Sequence, residues 1–203
     1  FTPICELEIE ERADKVSRIA GYGAVFYDGT PKTEYKMWSD MVERIMPGAF
    51  DKAIAGDDVR GLYNHDPNML LGRTSAKTMT LTSDSRGLRY EIDTPDNELG
   101  RSVVSAVKRR DLTGSSFSFQ IVDQEFRTEG GIDIREIKGV KLFDVGPVTF
   151  PAYEATTAEA KSADGASDAL KARDEWKRGK ATEARDRDIA IMEMRHRKTL
   201  LTM

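Results

Sequence analysis

A chain of 203 residues, 39% hydrophobic and 33% charged, suits one compact domain, but it carries enough charge that some segment contributes little to the core. A formal net charge of −4 is too mild for a nucleic-acid surface, and no apolar run approaches the roughly 18 residues of a membrane span. Cys5 is the single cysteine, which excludes an intramolecular disulfide and fits a reducing compartment.

The N-terminal FTPICELEIEERA lacks the apolar stretch of a signal peptide. Phe1 is not an initiator Met, which implies an upstream piece. Short strands separated by turn signals are expected at Ile4–Ile9, Gly21–Phe26 and Val42–Met46, with a turn at Asp28-Gly29-Thr30-Pro31. Pro47-Gly48-Ala49-Phe50 leads into a short helix, about Phe50–Ala55. Strands follow at Val59–Tyr63, Met79–Thr82 and Leu88–Ile92, the last two joined by Ser83-Asp84-Ser85-Arg86-Gly87. A second helix is expected from Thr94 to about Arg110. Pro95 stands in its first turn, Leu99, Val103, Ala106 and Val107 lie on one face, and Lys108-Arg109-Arg110 favour its C-terminal end.

Strands resume at Ser116–Val122, Ile132–Ile137 and Val140–Val148, with a Glu129-Gly130-Gly131 turn. Period-two alternation is clearest in Phe117-Ser118-Phe119-Gln120-Ile121. Many short strands at this spacing predict an α+β fold, mainly β, built on a closed or nearly closed barrel over residues 1–154. Residues 155–203 are rich in Ala, Glu, Lys, Arg and Asp, with no proline and two glycines. They form a charged extension, helical or disordered, with Leu170, Trp176, Ile189, Met192, Leu200 and Leu201 as its few apolar anchors. A solvated tail and a docking segment are both consistent with it.

Scarce residues narrow the chemistry. The histidines are His65 and His196, and only His65 lies in the β-rich body. One cysteine and one histidine do not make the three or four ligands of a zinc site, so no metal is expected. There is no Walker loop and no Rossmann glycine pattern, so no nucleotide cofactor is expected either. His65 ends a strand in Tyr63-Asn64-His65-Asp66-Pro67, well placed to face a cleft, although an ordinary loop histidine fits the same pattern. Ser116 lies in Thr113-Gly114-Ser115-Ser116-Phe117-Ser118-Phe119; Ser116 and Ser118 share one strand face and Ser115 the other. This is not the Gly-x-Ser-x-Gly elbow. Asp144 sits inside an apolar strand, where a carboxylate needs a partner, either a catalytic imidazolium or a structural Lys or Arg. Together the three supply nucleophile, base and orienter, in the order His, Ser, acid.

At these residues the chain resembles the tailed-phage prohead (capsid maturation) serine protease family, distantly similar in fold to herpesvirus assemblins. Glu43-Arg44-Ile45-Met46-Pro47-Gly48-Ala49-Phe50 resembles its Pro-Gly-Ala-Phe element. Asn64-His65-Asp66-Pro67 with Leu71-Gly72-Arg73-Thr74 resembles its histidine motif. Gly114-Ser115-Ser116-Phe117-Ser118-Phe119 resembles its serine motif, and Asp144-Val145 through Val148-Thr149-Phe150-Pro151-Ala152 its acid strand. The likeness covers roughly residues 4–153. It implies a barrel of the herpesvirus-protease type with His65, Ser116 and Asp144 as catalytic residues. It also implies cleavage of scaffold and major capsid precursors, and of the protease itself, inside the assembling prohead in the host cytoplasm. Three positions depart from the pattern: Ser118 stands where Gly is usual, Asp144 where Glu is common, and Gly146-Pro147 where a Ser-aliphatic pair is regular. The last of these predicts a strand bent just past the acid. Asp66 is the weaker acid candidate, since neighbours on a strand point apart.

Two other readings fit part of the sequence. A non-catalytic capsid-assembly scaffold would keep the fold and work through its charged tail. A Ser–Lys hydrolase would use Lys138 or Lys141 as base and leave His65 without a role.

Overall fold

A computed structural model describes residues 7–11, 17–151 and 163–200. The chain divides into two compact units, Phe1–Ala158 and Glu159–Met203. Cys5, the residue-154 boundary, Ala152 and Leu201 lie outside the described residues.

The first unit is built from two sheets. One is antiparallel, in the order β1-β2-β8-β7, from β1 (Leu7–Glu11), β2 (Ser17–Val25), β7 (Met79–Ser83) and β8 (Gly87–Asp93). The other centres on β10 (Ile132–Val148), whose whole length pairs with β9 (Gly114–Glu129). On the other edge of β10, β4 (Met41–Ile45) and β5 (Arg60–Leu62) lie end to end, both parallel to it. β3 (Tyr35–Trp38) and β6 (Leu70–Arg73) flank β4 and β5.

The two sheets meet through side chains. Ile19, Leu88, Tyr90 and Ile92 of the first and Phe117, Ile137, Leu142 and Val145 of the second share one buried core. Among the described residues no hydrogen-bonded ladder joins them, so the expected barrel is not closed. The β-rich character was legible; closure depends on edge-to-edge pairing, which apolar packing between the sheets replaces here.

Two local differences from the sequence expectations have physical causes. The two segments expected at 132–137 and 140–148 are one strand, which tolerates register shifts at Gly139 and between Leu142 and Asp144. Its hairpin with β9 turns on Gly130 and Gly131, both at positive φ, as a two-residue turn requires. The second helix, α2, spans Glu98–Lys108 rather than starting at Thr94: Asn97 caps it by accepting from Gly100 N–H at 2.9 Å. Thr94 Oγ1 instead donates to Ser17 O. The first helix, α1, is Asp51–Gly56. In the second unit, α3 runs from Ala163 to Leu200, so the described part of the charged extension is helical. No described helix is long and apolar enough to cross a membrane.

Candidate active site

Along the edge of β10 that faces β4 and β5, a run of hydrogen bonds leads from the last β4 pair to Asp144. Beyond the last β4 pair, Met46 N–H donates to Ile137 O and Val140 N–H to Ala49 O. Leu142 N–H then donates to Asp57 Oδ2 at 2.7 Å, and Asp144 aligns with Arg60 on β5. The Pro-Gly-Ala-Phe element therefore bridges from β4 to β5. Gly48 takes φ of 86°, Ala49 lends its carbonyl, and fully buried Phe50 packs edge-on against Phe117 at 5.6 Å between ring centres.

On the opposite edge of β10, Asp144 pairs with Ser118 and Gly146 with Ser116. Directly paired residues of an antiparallel ladder project to the same side, so Asp144, Ser116 and Ser118 share one face. Ser115, Phe117 and Val145 project into the core, where Ser115 Oγ hydrogen-bonds Tyr90 Oη at 2.8 Å. Ser115 is thereby committed to the core side, as the alternation predicted.

His65 reaches that shared face from β5. The chain leaves Leu62 into a tight turn, Tyr63–Asp66, closed by Asp66 N–H donating to Tyr63 O. Its central residues, Asn64 and His65, have φ of 54° and 58°. Positive φ at both central positions is the type I′ signature. Asn accepts the left-handed region readily; an imidazole there is less common, and such strain persists where surrounding contacts fix it. The turn aims His65 Nδ1 at Asp144 Oδ1, 2.5 Å away. An ionised carboxylate only accepts, so against ionised Asp144 the imidazole Nδ1–H is the donor of this contact. The Asp144 side chain is 10% exposed and that of His65 36%, a buried acid beneath a reachable base.

Asp144 thus meets His65 rather than a structural Lys or Arg. Asp66, the weaker acid candidate, is occupied locally: its Oδ1 accepts from Asn68 N–H at 2.8 Å and from Asn68 Nδ2. Neither candidate lysine is disposed to act as a base. Lys138 is paired with Glu125, a hydrogen bond that pushes its ammonium above its ordinary value, and Lys141 Nζ lies over the Phe143 ring. His196 lies on α3, where its side chain is outside the described residues. Among the described residues no cluster of three or more His, Cys, Asp or Glu could hold a metal.

The strand does not bend past the acid as expected. The irregularity precedes Asp144, at the Leu142/Asp144 shift, and pairing is regular from Asp144 to Val148. Gly146 answers a different need, close passage of the β5 backbone over β10: a Cβ there would stand 2.2 Å from Leu62 O.

On this β-rich fold, a strand serine and a histidine–aspartate pair stand on one face. The model of the caudovirus prohead serine proteases matches residues 5–169, and the chain belongs to that family. Among curated proteins and among solved structures nothing matches the chain.

Proposed function

We propose that this chain is a serine endopeptidase of phage head maturation in which Ser116 is the nucleophile, His65 the general base and Asp144 its orienter. The observation that carries the reading is the His65 Nδ1–Asp144 Oδ1 contact, made on the strand face that also bears Ser116. Geometry favours Ser116 over Ser118. An imidazole bridging an acid and a nucleophile needs a hydrogen bond of about 3 Å at each end plus the width of the ring. Diagonal neighbours across an antiparallel pair are about 7–8 Å apart and direct neighbours about 5 Å. Ser116 is the diagonal neighbour of Asp144, and Ser118 the direct one.

In the reaction, His65 Nε2 takes the Ser116 proton as Oγ attacks a peptide carbonyl. The proton then passes to the leaving amine, and water hydrolyses the acyl-enzyme by the reverse exchange. Asp144 holds the tautomer and stabilises the imidazolium. Backbone N–H donors at the oxyanion contribute about 3–4 kcal/mol each. The substrates are the scaffold and major capsid precursors, with self-cleavage, inside the assembling prohead. The 155–203 extension serves as a docking segment for one of those precursors.

A serine-directed phosphonate tests the reading. Labelling at Ser116 that is lost in Ser116→Ala and His65→Ala, but kept in Ser118→Ala, is the expected result. Labelling lost in Ser118→Ala alone moves the nucleophile to Ser118, and no labelling favours the non-catalytic scaffold.

A further inference from the structure

His65 occupies a backbone conformation that its own side chain does not favour, so something must hold the turn. The β5–β10 ladder shows what does. Asn64 N–H donates to Pro147 O at 3.1 Å, and there the main chain turns away from β10. The Asn64 side chain takes over from the backbone. Its Oδ1 accepts from Thr149 N–H at 2.8 Å, and its Nδ2 donates to Thr149 Oγ1 at 3.2 Å. The carboxamide thus mimics the next peptide group of a parallel strand, extending the ladder after β5 has ended. Thr149 Oγ1 also meets Tyr63 Oη at 3.1 Å, so one hydroxyl joins both residues that precede His65.

We infer that Asn64 and Thr149 are positioning residues: their reciprocal hydrogen bonds lock the left-handed turn so that His65 is held between Asp144 and Ser116. Neither side chain touches the reacting atoms. Each acts through the turn, by removing the freedom of a surface loop whose end must be placed within a fraction of an ångström. The clasp also ties the base to the strand that carries its acid, so that His65 and Asp144 move together.

This inference rests on the proposed triad, and the test separates the two. Thr149→Val removes Oγ1 at nearly constant shape, whereas Thr149→Ser keeps it. Asn64→Gly retains tolerance of positive φ and loses only the clasp. The expected result is a fall in kcat of about tenfold or more for Thr149→Val and Asn64→Gly, with KM nearly constant, and recovery in Thr149→Ser. The His65 Nδ1–H proton resonance should weaken or vanish in the two impaired variants. Wild-type kcat in both, or equal losses in Thr149→Ser and Thr149→Val, overturns the inference. If Asn64→Gly does not fold, the Thr149 pair decides alone. Absence of His65-dependent labelling of Ser116 in the wild-type protein sinks the triad itself. Such labelling at an unchanged rate in the clasp variants sinks only the clasp.

Discussion

Gly146 lies directly under the backbone of Leu62: a methyl group on its Cα would meet Leu62 O at 2.2 Å and Leu62 N at 3.1 Å. Leu62 is the last residue of the strand that leads into the His65 turn, so the absence of a side chain at 146 sets how closely that turn can approach the face of Ser116 and Asp144. Main chain cannot yield as a flexible side chain can. Gly146→Ala should therefore lift the Tyr63–Asp66 turn and cost about 100-fold in kcat/KM, the order expected for a misplacement of about 1 Å. Steady-state kinetics alongside far-UV circular dichroism checks this. Near-normal activity in a folded Gly146→Ala protein would show that the turn is placed by other contacts.

The His65–Asp144 pair predicts an asymmetric mutational pattern. His65→Ala should be as inactive as Ser116→Ala, since base and nucleophile act as a unit, while Asp144→Asn leaves a measurable residue because only orientation and charge support are lost. The sign of the pH dependence follows from the role. A general base works when unprotonated, so kcat/KM should be low in acid and rise with pH. A rate profile flat from about pH 5 to 9 would remove His65 from that role.

On the core side, Ser115 and Tyr90 form a buried hydrogen bond that connects β9 to the other sheet. Ser115→Ala and Tyr90→Phe should each destabilise by about 1–3 kcal/mol, since a buried polar group loses its partner. The double variant should cost less than the two singles together. Urea denaturation of the four proteins closes the cycle. Strict additivity would mean that the two hydroxyls do not depend on each other.

The way these parts were legible in the sequence differs from residue to residue. The alternation around Phe117 is a local signal, and it assigned Ser115 and Ser116 to opposite faces of β9. The need of a carboxylate in an apolar strand for a partner singled out Asp144. Asn64 and Thr149 passed as motif letters, because a clasp between residues 85 apart has no periodicity to reveal it. β3 and β6 were missed for a similar reason: they exist because β4 and β5 supply edges to pair with, a cause that lies outside their own four residues. The open arrangement of the sheets was hidden because strand spacing is the same whether edges join or remain apart.

The extension yields the last prediction. Along α3, Ile189, Ile191, Met192 and Met194 are all exposed, and because residues 189 and 191 do not lie on one helical face they form a collar rather than a stripe. Such a collar has no buried role within its own helix, and it lies beyond residue 169, where the family match ends. Trp176 is engaged within the helix, with Lys180 Nζ 4.6 Å from its ring centre. The proposed docking function therefore belongs to the part of α3 beyond the family match. Deleting 174–203 should leave cleavage of a soluble peptide substrate unchanged while the protease no longer copurifies with assembled heads. Replacing Ile189, Ile191, Met192 and Met194 together by Gln should reproduce the loss, since Gln keeps helix propensity and removes only the apolar surface. Copurification at wild-type levels in both variants would make the extension a passive one. Loss of peptide cleavage in the deletion would make it part of the catalytic unit.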